Sequence, residues 1–172
     1  MSSELTVGEA CSITTGKLDS NALVEGGSYP FFTCAKEPLR IDHYAFDDSV
    51  ILVAGNNAAG NFHVSRYSGK FNAYQRTYVI TTKGECDLDY IFYSLRLLLR
   101  LLKEHSQGSQ TKFLTIGILK SLKLKSRELP DQQKIAKVLS TLDAKIELNN
   151  RINAELEAMA KLLYDYWFVQ FD

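Results

Sequence analysis

From Ile135 to Leu163 the chain reads IAKVLSTLDAKIELNNRINAELEAMAKLL, with an apolar residue at every third or fourth position and no glycine or proline. That period is one face of an α-helix. Upstream the pattern shortens into β-type runs separated by turn residues: Tyr29–Thr33, Ser49–Ala54, Asn61–Arg66 and Arg76–Thr81 are the best strands. AGNNAAG reads as a loop between two of them, and YSGK as a tight turn. The run DLDYIFYSLRLLLRLLKEH then predicts a helix, with Asp87 as N-cap and Ile91, Leu95, Leu98 and Leu102 on its apolar face. SQGSQTKF ends it, and a short strand or turn leads into LKSLKLKSRELP.

Pro130 and Asp131 mark a boundary, since proline suits the first helical position and an acid there suits the helix dipole. Residues 1–130 therefore read as a β-rich domain with packed helices, and residues 131–172 as one long coiled-coil-type helix, an α+β chain overall. In a heptad register, Ile135, Leu142, Asn149, Leu156 and Leu163 fall at a, and Val138, Lys145, Ile152, Met159 and Tyr166 at d. Leu139, Ile146, Asn153, Ala160 and Trp167 widen the stripe at e. A helix from Asp131 to Phe168 is roughly 57 Å long at ~1.5 Å per residue. A 130-residue domain is only about 35 Å across, so the stripe cannot all lie on it. Each fully buried Leu or Ile contributes roughly 1.5–3 kcal/mol, which makes a partner helix the natural cover. Asn149 at a fits that reading, because a buried Asn fixes register and pairing. The alternative is a helical hairpin folded back at Asn149–Asn150. The heptads admit parallel as well as antiparallel pairing.

Composition changes this picture in one respect. Twenty basic and twenty acidic residues cancel, but they are segregated. No acid occurs from Ser49 to Gly84 or from His105 to Arg127, whereas Arg66, Lys70, Arg76, Lys83, Lys112, Lys120, Lys123, Lys125 and Arg127 do. Such segregation predicts a local basic face suited to a phosphate backbone. Three scattered cysteines, Cys11, Cys34 and Cys86, suggest buried free thiols and a cytoplasmic setting rather than a disulfide frame. The N-terminus lacks a signal-peptide pattern, and no apolar run reaches membrane-spanning length.

Catalytic motifs find no support. GNNAAGNF spaces Gly55 and Gly60 like a phosphate-binding loop but has Asn61 where lysine is required. The chain has no Pro-Pro pair, so the Asn/Asp-Pro-Pro-Tyr/Phe tetrad of adenine methyltransferases is missing. His43, His63 and His105 lack ligand-like spacing, and no nucleophile elbow is present.

QQKIA (Gln132–Ala136), LSTLDAKIELN (Leu139–Asn149) and WFVQF (Trp167–Phe171), preceded by Pro130, closely resemble the helical conserved region of type I restriction–modification specificity subunits. CSITTGK, YPFFTCA, the acid-free middle and GSQTKFLTIGILKSLKL resemble one target-recognition domain more loosely. The likeness is to half of a full-length subunit. It implies a non-enzymatic module that reads double-stranded DNA, probing one half of a bipartite site, and docks a modification (methyltransferase) subunit and possibly a restriction subunit. It implies no cofactor in this chain; S-adenosylmethionine would be held by the partner methyltransferase. Antiparallel pairing of two long helices would form a homodimer and predicts an interrupted palindrome.

Base edges are read by Arg or Lys at guanine and by Asn or Gln at adenine. Two segments combine these types: Asn56, Asn57, Asn61, His63, Arg66, Lys70, Gln75 and Arg76 in one, and Gln107, Ser109, Gln110 and Lys112 in the other. Arg66→Ala or Arg76→Ala is expected to weaken DNA binding with the fold intact. Tyr44, Tyr67 and Tyr74 are expected to pack in the core. The rival reading is a coiled-coil interaction adaptor without DNA specificity; a DNA-mimicking inhibitor is opposed by the acid-free stretches.

Overall fold

The structure, a computed structural model, describes residues 4–55, 62–105 and 114–169. Among these the chain order is β1 (Glu4–Thr6), α1 (Val7–Ala10), β2 (Cys11–Thr15), a 3-10 turn (Ser20–Ala22), β3 (Tyr29–Phe32), β4 (Leu39–Ile41), β5 (Phe46–Ala54), β6 (Val64–Ala73), β7 (Thr77–Thr82), α2 (Leu88–His105), α3 (Ile116–Ser121), β8 (Lys123–Lys125) and α4 (Leu129–Phe168). Two compact units result, Met1–Gln133 and Lys134–Asp172.

The first unit is built on a six-stranded sheet of order β2-β7-β5-β6-β3-β4. The run Val50–Ala54 is apolar at every position because both faces of β5 are covered. Val50 and Leu52 join Phe71, Ala73 and Val79 in one core cluster, flanked by Phe32, Phe46 and Tyr67. Phe71 is its hub, stacked on Phe46 with centroids 5.0 Å apart and edge-on to Tyr67 at 5.5 Å. On the opposite face Ile51, Val53 and Ile80 are buried together with Ile91, Leu95 and Leu99 of α2, which packs against β5, β6 and β7.

The sheet has to curl. Phe71 of β6 pairs with Phe46, whereas Thr77 of β7 pairs with Ala54 at the other end of β5. Those ends lie roughly 26 Å apart at ~3.3 Å per residue, yet six residue steps reach at most about 21 Å. The curl brings β3 to the start of β7, where Tyr74 N–H donates to Phe32 O at 2.9 Å and Thr77 Oγ1 to the same oxygen at 3.2 Å. Gly69, with φ 122°, lets β6 bend midway without the strain a side chain would bring.

This geometry corrects the YSGK turn: Tyr67–Lys70 lie inside β6, with Gly69 paired to Asp48 and Ser68 Oγ 2.8 Å from Ser49 Oγ. The reversal falls later, at Tyr74–Arg76. In α2 the N-cap stands where the sequence puts it, with Asp87 Oδ1 accepting from Tyr90 N–H at 2.8 Å. The buried face is rotated: Leu99 is buried, while Leu98 and Leu102 are half-buried. Of the thiols only Cys11 is buried; Cys34 and Cys86 are half-buried, and all three are free. Tyr44 departs from core packing, remaining exposed beside Tyr29 at 5.1 Å between ring centroids.

Before α2 and α4 the chain makes local closures that sequence reading missed. Thr6 and Glu9 form a capping box on α1, and Lys123 of β8 pairs with Glu4 of β1 at 2.5 Å. Gln132, in the first turns of α4, is buried; its Oε1 accepts from Asp87 N–H at 2.9 Å, and its Nε2 donates to Arg127 O at 2.8 Å and Glu85 O at 3.5 Å. The side chain thus binds the helix start to the loop ahead of α2.

In the second unit α4 continues unbroken through Asn149 and Asn150 to Phe168. The hairpin alternative is overturned: intrahelical hydrogen bonding continues where the reversal would have fallen.

Candidate nucleic-acid interface

Described residues flanking the two nominated segments, Gly55 and His63 of the first and Leu114 of the second, meet at one joint of the first unit. β5 delivers the chain to Gly55, and the first loop returns at His63, whose carbonyl accepts from Ala54 N–H at 3.0 Å. The second loop follows α2 and returns at Leu114, whose N–H donates to Gly55 O at 3.1 Å. Gly55 N–H in turn donates to Arg76 O at 2.9 Å. Tyr78 completes the joint, its hydroxyl donating to Leu114 O at 2.8 Å. Burial raises the pKa of that phenol, so it stays a donor through the physiological range. Only glycine fits at position 55: a Cβ would stand 2.7 Å from Tyr78 Cε2 and 2.8 Å from Arg76 O.

Beside this joint an open groove of about 420 Å³ runs between the start of β6 and the second half of α2. Phe62, His63 and Val64 form one wall; Arg96, Arg100 and Lys103 stand on the other, with Leu99 among them. The three basic residues follow at four- and three-residue spacing, which sets them on one helix face. Glu104 approaches Arg100 at 3.6 Å on the exposed surface, and the Arg96 guanidinium lies 5.4 Å from the Phe92 ring centroid. Sequence reading passed over these residues because LRLLLRLL registers first as an apolar face. The signal was the basic spacing within it.

The nominated residues do not form one set. The carbonyls of His63 and Arg76 accept from the adjacent amides of Ala54 and Gly55, which brings both backbones to the joint. Arg66 points to α2 instead: it pairs with Asp89 and lies over Phe92, 4.5 Å from the centroid, and near Tyr93 at 5.5 Å. Its side chain thus links β6 to α2. Lys70 lies four residues further along β6, opposite Asp47, its Nζ 4.7 Å from the Tyr44 ring centroid. Gln75 is exposed and donates its backbone N–H to Leu18 O at 2.9 Å. Asn56, Asn57, Asn61, Gln107, Ser109, Gln110 and Lys112 lie outside the described residues. The second acid-free run is divided too, since Lys120 lines a separate cleft with Cys11 and Asp47 and Lys123 pairs with Glu4.

On α4 the nominated stripe is largely bare. Val138, Leu142, Ile146, Leu156, Met159, Leu163 and Trp167 are each 51–64% exposed, and Ile135, Ile152 and Tyr166 are exposed as well. Asn149 is exposed, and Leu139 is half-buried. Leu148, Leu162, Tyr164 and Phe168 add exposed apolar surface outside a, d and e. Among the described residues no helix is long and apolar enough to cross a membrane.

The first unit is thus a curled mixed sheet with a basic groove beside α2, and α4 carries a long exposed apolar stripe. Residues 3–158 match the family described as type I restriction modification DNA specificity domain, and the chain belongs to that family. Among curated proteins it is similar to the specificity subunit of type I restriction enzyme EcoDI from Escherichia coli. The identity there is 38% over 157 residues, covering 91% of this chain and 34% of that protein. The HindI specificity subunit of Haemophilus influenzae is 44% identical over 59 residues, 34% of this chain and 13% of that protein. Among solved structures, the type I restriction–modification S subunit from M. genitalium superposes with a TM-score of 0.72 at 18% identity. It covers 94% of this chain and 44% of that one. HsdS from Thermoanaerobacter tengcongensis gives 0.64 at 18% identity over 94% of this chain and 42% of that one. The chain thus spans about a third of the length of its curated E. coli relative and under half of these structures, whose likeness establishes the α+β fold.

Proposed function

We propose that the chain is the sequence-reading half of a type I specificity assembly: the first unit reads one half of a bipartite DNA site, and α4 pairs with a second copy. The observation that carries this reading is the joint of Gly55, His63 and Leu114, which flank the two nominated segments, beside the groove of Arg96, Arg100 and Lys103. The loops, rich in Asn, Gln, Ser and Lys, supply base-edge donors and acceptors, while the groove follows the phosphates. Half to two-thirds of protein–DNA hydrogen bonds typically go to the backbone, and both kinds of group are needed side by side.

The second copy follows from the helix. Seven apolar side chains more than half exposed in a row are a standing loss of roughly 1 kcal/mol or more each, and a twin helix recovers it. A single module buries only about 600–1,000 Å² on DNA, so two modules at a fixed interval give specificity that one lacks. Twofold pairing makes the recognised site an interrupted palindrome. Because apolar residues also occur outside a, d and e, the helix has surface for a methyltransferase subunit after its twin is seated. That partner carries the adenine methylation chemistry, with S-adenosylmethionine, and a restriction subunit would join through it; this chain contributes recognition alone.

The test is the salt dependence of duplex binding by the Arg100→Ala, Lys103→Ala double variant. Each lost phosphate contact lowers the log–log salt slope by roughly 0.9, so the pair lowers it by about two. An unchanged slope removes the groove from the interface, and a wild type that binds no duplex at low salt favours the adaptor reading.

A further inference from the structure

The three basic side chains of the groove are held in different ways. Arg100 stands on the open surface with Glu104 at 3.6 Å, and Lys103 is exposed on a flexible stem. Arg96 is exposed as well, yet its guanidinium lies 5.4 Å from the ring centroid of Phe92, a side chain only 6% exposed. The two residues are four apart on α2, so they share one helix face. Phe92 is itself fixed from two sides. Its ring meets Tyr93 edge-on with centroids 5.0 Å apart, and the Arg66 guanidinium of β6 lies 4.5 Å from its centroid. Arg66 is paired with Asp89, one turn earlier on α2, which balances its charge beside the second guanidinium. One buried ring therefore carries two arginines: Arg66 faces the sheet, and Arg96 lines the groove.

We propose that Arg96 is the phosphate clamp of the groove and that Phe92 is its positioning residue. The ring holds the guanidinium plane so that two N–H groups meet one phosphate of a bound duplex together. Planarity is what makes this work: an arginine stacks on a ring and offers a rigid fork, whereas a lysine brings the same charge without the plane. Arg100 and Lys103 supply charge without a fixed direction. Phe92 is buried, so it acts through Arg96 and not on DNA. This rests on the reading of the groove as the face that follows the phosphates, and it assigns the residue that sets the register there.

The experiment measures binding of the full chain to a mixed-sequence duplex over a range of salt, with the active fraction fixed by stoichiometric titration. The variants are Arg96→Lys, Phe92→Leu, the two combined, and Arg100→Lys as control. All of them keep the charge of the groove, so the log–log salt slope stays that of wild type. Arg96→Lys weakens binding about tenfold, the loss of one bidentate contact, and Phe92→Leu weakens it about threefold, the loss of the ring's hold. Arg100→Lys stays within about twofold of wild type. The combined variant is no weaker than Arg96→Lys alone, because the ring has no plane left to hold. Binding by Arg96→Lys as tight as that of Arg100→Lys overturns the clamp. A Phe92→Leu loss that is undiminished beside Lys at position 96 overturns the positioning role, since it marks the ring as a mere prop for α2. Failure of the groove reading looks different: the Arg100→Ala, Lys103→Ala slope stays at the wild-type value. A slope lowered by about two together with wild-type binding by Arg96→Lys sinks this inference alone.

Discussion

Gly55→Ala is the sharpest perturbation of the loop joint. One added carbon would stand 2.7 Å from Tyr78 Cε2 and 2.8 Å from Arg76 O. The oxygen cannot retreat freely because it already accepts Gly55 N–H at 2.9 Å. Relief must come from the Tyr78 ring, and tilting that ring draws its hydroxyl away from Leu114 O. Overpacking of this kind costs about 1–3 kcal/mol, and the lost hydrogen bond about 0.5–1.5 kcal/mol. The sum, roughly 2–4 kcal/mol, is a large share of the ~5–15 kcal/mol that holds a domain folded. Urea denaturation followed by circular dichroism measures it. Hydrogen exchange at the Leu114 amide, which donates to Gly55 O, reports whether the two loop roots have separated. Tyr78→Phe is the companion, losing only the hydroxyl bond and about 0.5–1.5 kcal/mol. A Gly55→Ala protein within ~0.5 kcal/mol of wild type, with its Leu114 amide still protected, would refute the idea of a single tight joint.

Three further outcomes are expected. Arg66→Ala lowers stability by about 1–2 kcal/mol, the sum of a half-exposed ion pair and a ring contact; a variant as stable as wild type in urea would free Arg66 for another role. Leu142→Glu with Leu156→Glu converts a dimer into a monomer by light scattering, since two charges then enter the seam, and equal masses for both proteins contradict helix pairing. Burial, reinforced by neighbouring Cys86 and opposed by Lys83, pushes the Cys11 thiol from 9.0 to about 12. The fold favours the neutral thiol, so this contribution to stability is complete below pH ~9 and is lost as pH rises towards 12. Cys11→Ala should show a flatter alkaline stability curve by urea denaturation between those limits, and an equal slope would discard the assignment.

What was legible in the sequence was local. The unbroken apolar period announced α4, and Asp87 announced the start of α2, because caps and periodicity act within a few residues. YSGK misled for the opposite reason: its Ser-Gly pair is a turn signal, but cross-strand partners Asp48 and Ser49 hold it extended. The rotated face of α2 has a similar cause, since the curl of the sheet decides which leucines are covered. Candidate site residues were legible as types and not as a constellation. Arg66 is legible in the sequence as a basic residue of the segment, but its ion pair with Asp89 and its place over Phe92 exist only in the fold. The backbones of His63 and Arg76 reach one joint only because the adjacent amides of Ala54 and Gly55 donate to their carbonyls. Arg96, Arg100 and Lys103 were visible in sequence, yet their groove exists only once β6 lies beside α2. Gln132 looked like any helix-start polar residue; its role depends on three backbone groups from elsewhere.

The account turns on whether this one chain, doubled through α4, dictates where DNA is modified. Methylation mapping with the wild-type chain as the sole specificity component beside its modification subunit addresses that directly. The account predicts a single adenine-methylated motif whose two halves are inverted copies separated by a constant unread gap. Methylation at an ungapped or asymmetric motif, or none at all with the complex assembled, would contradict it.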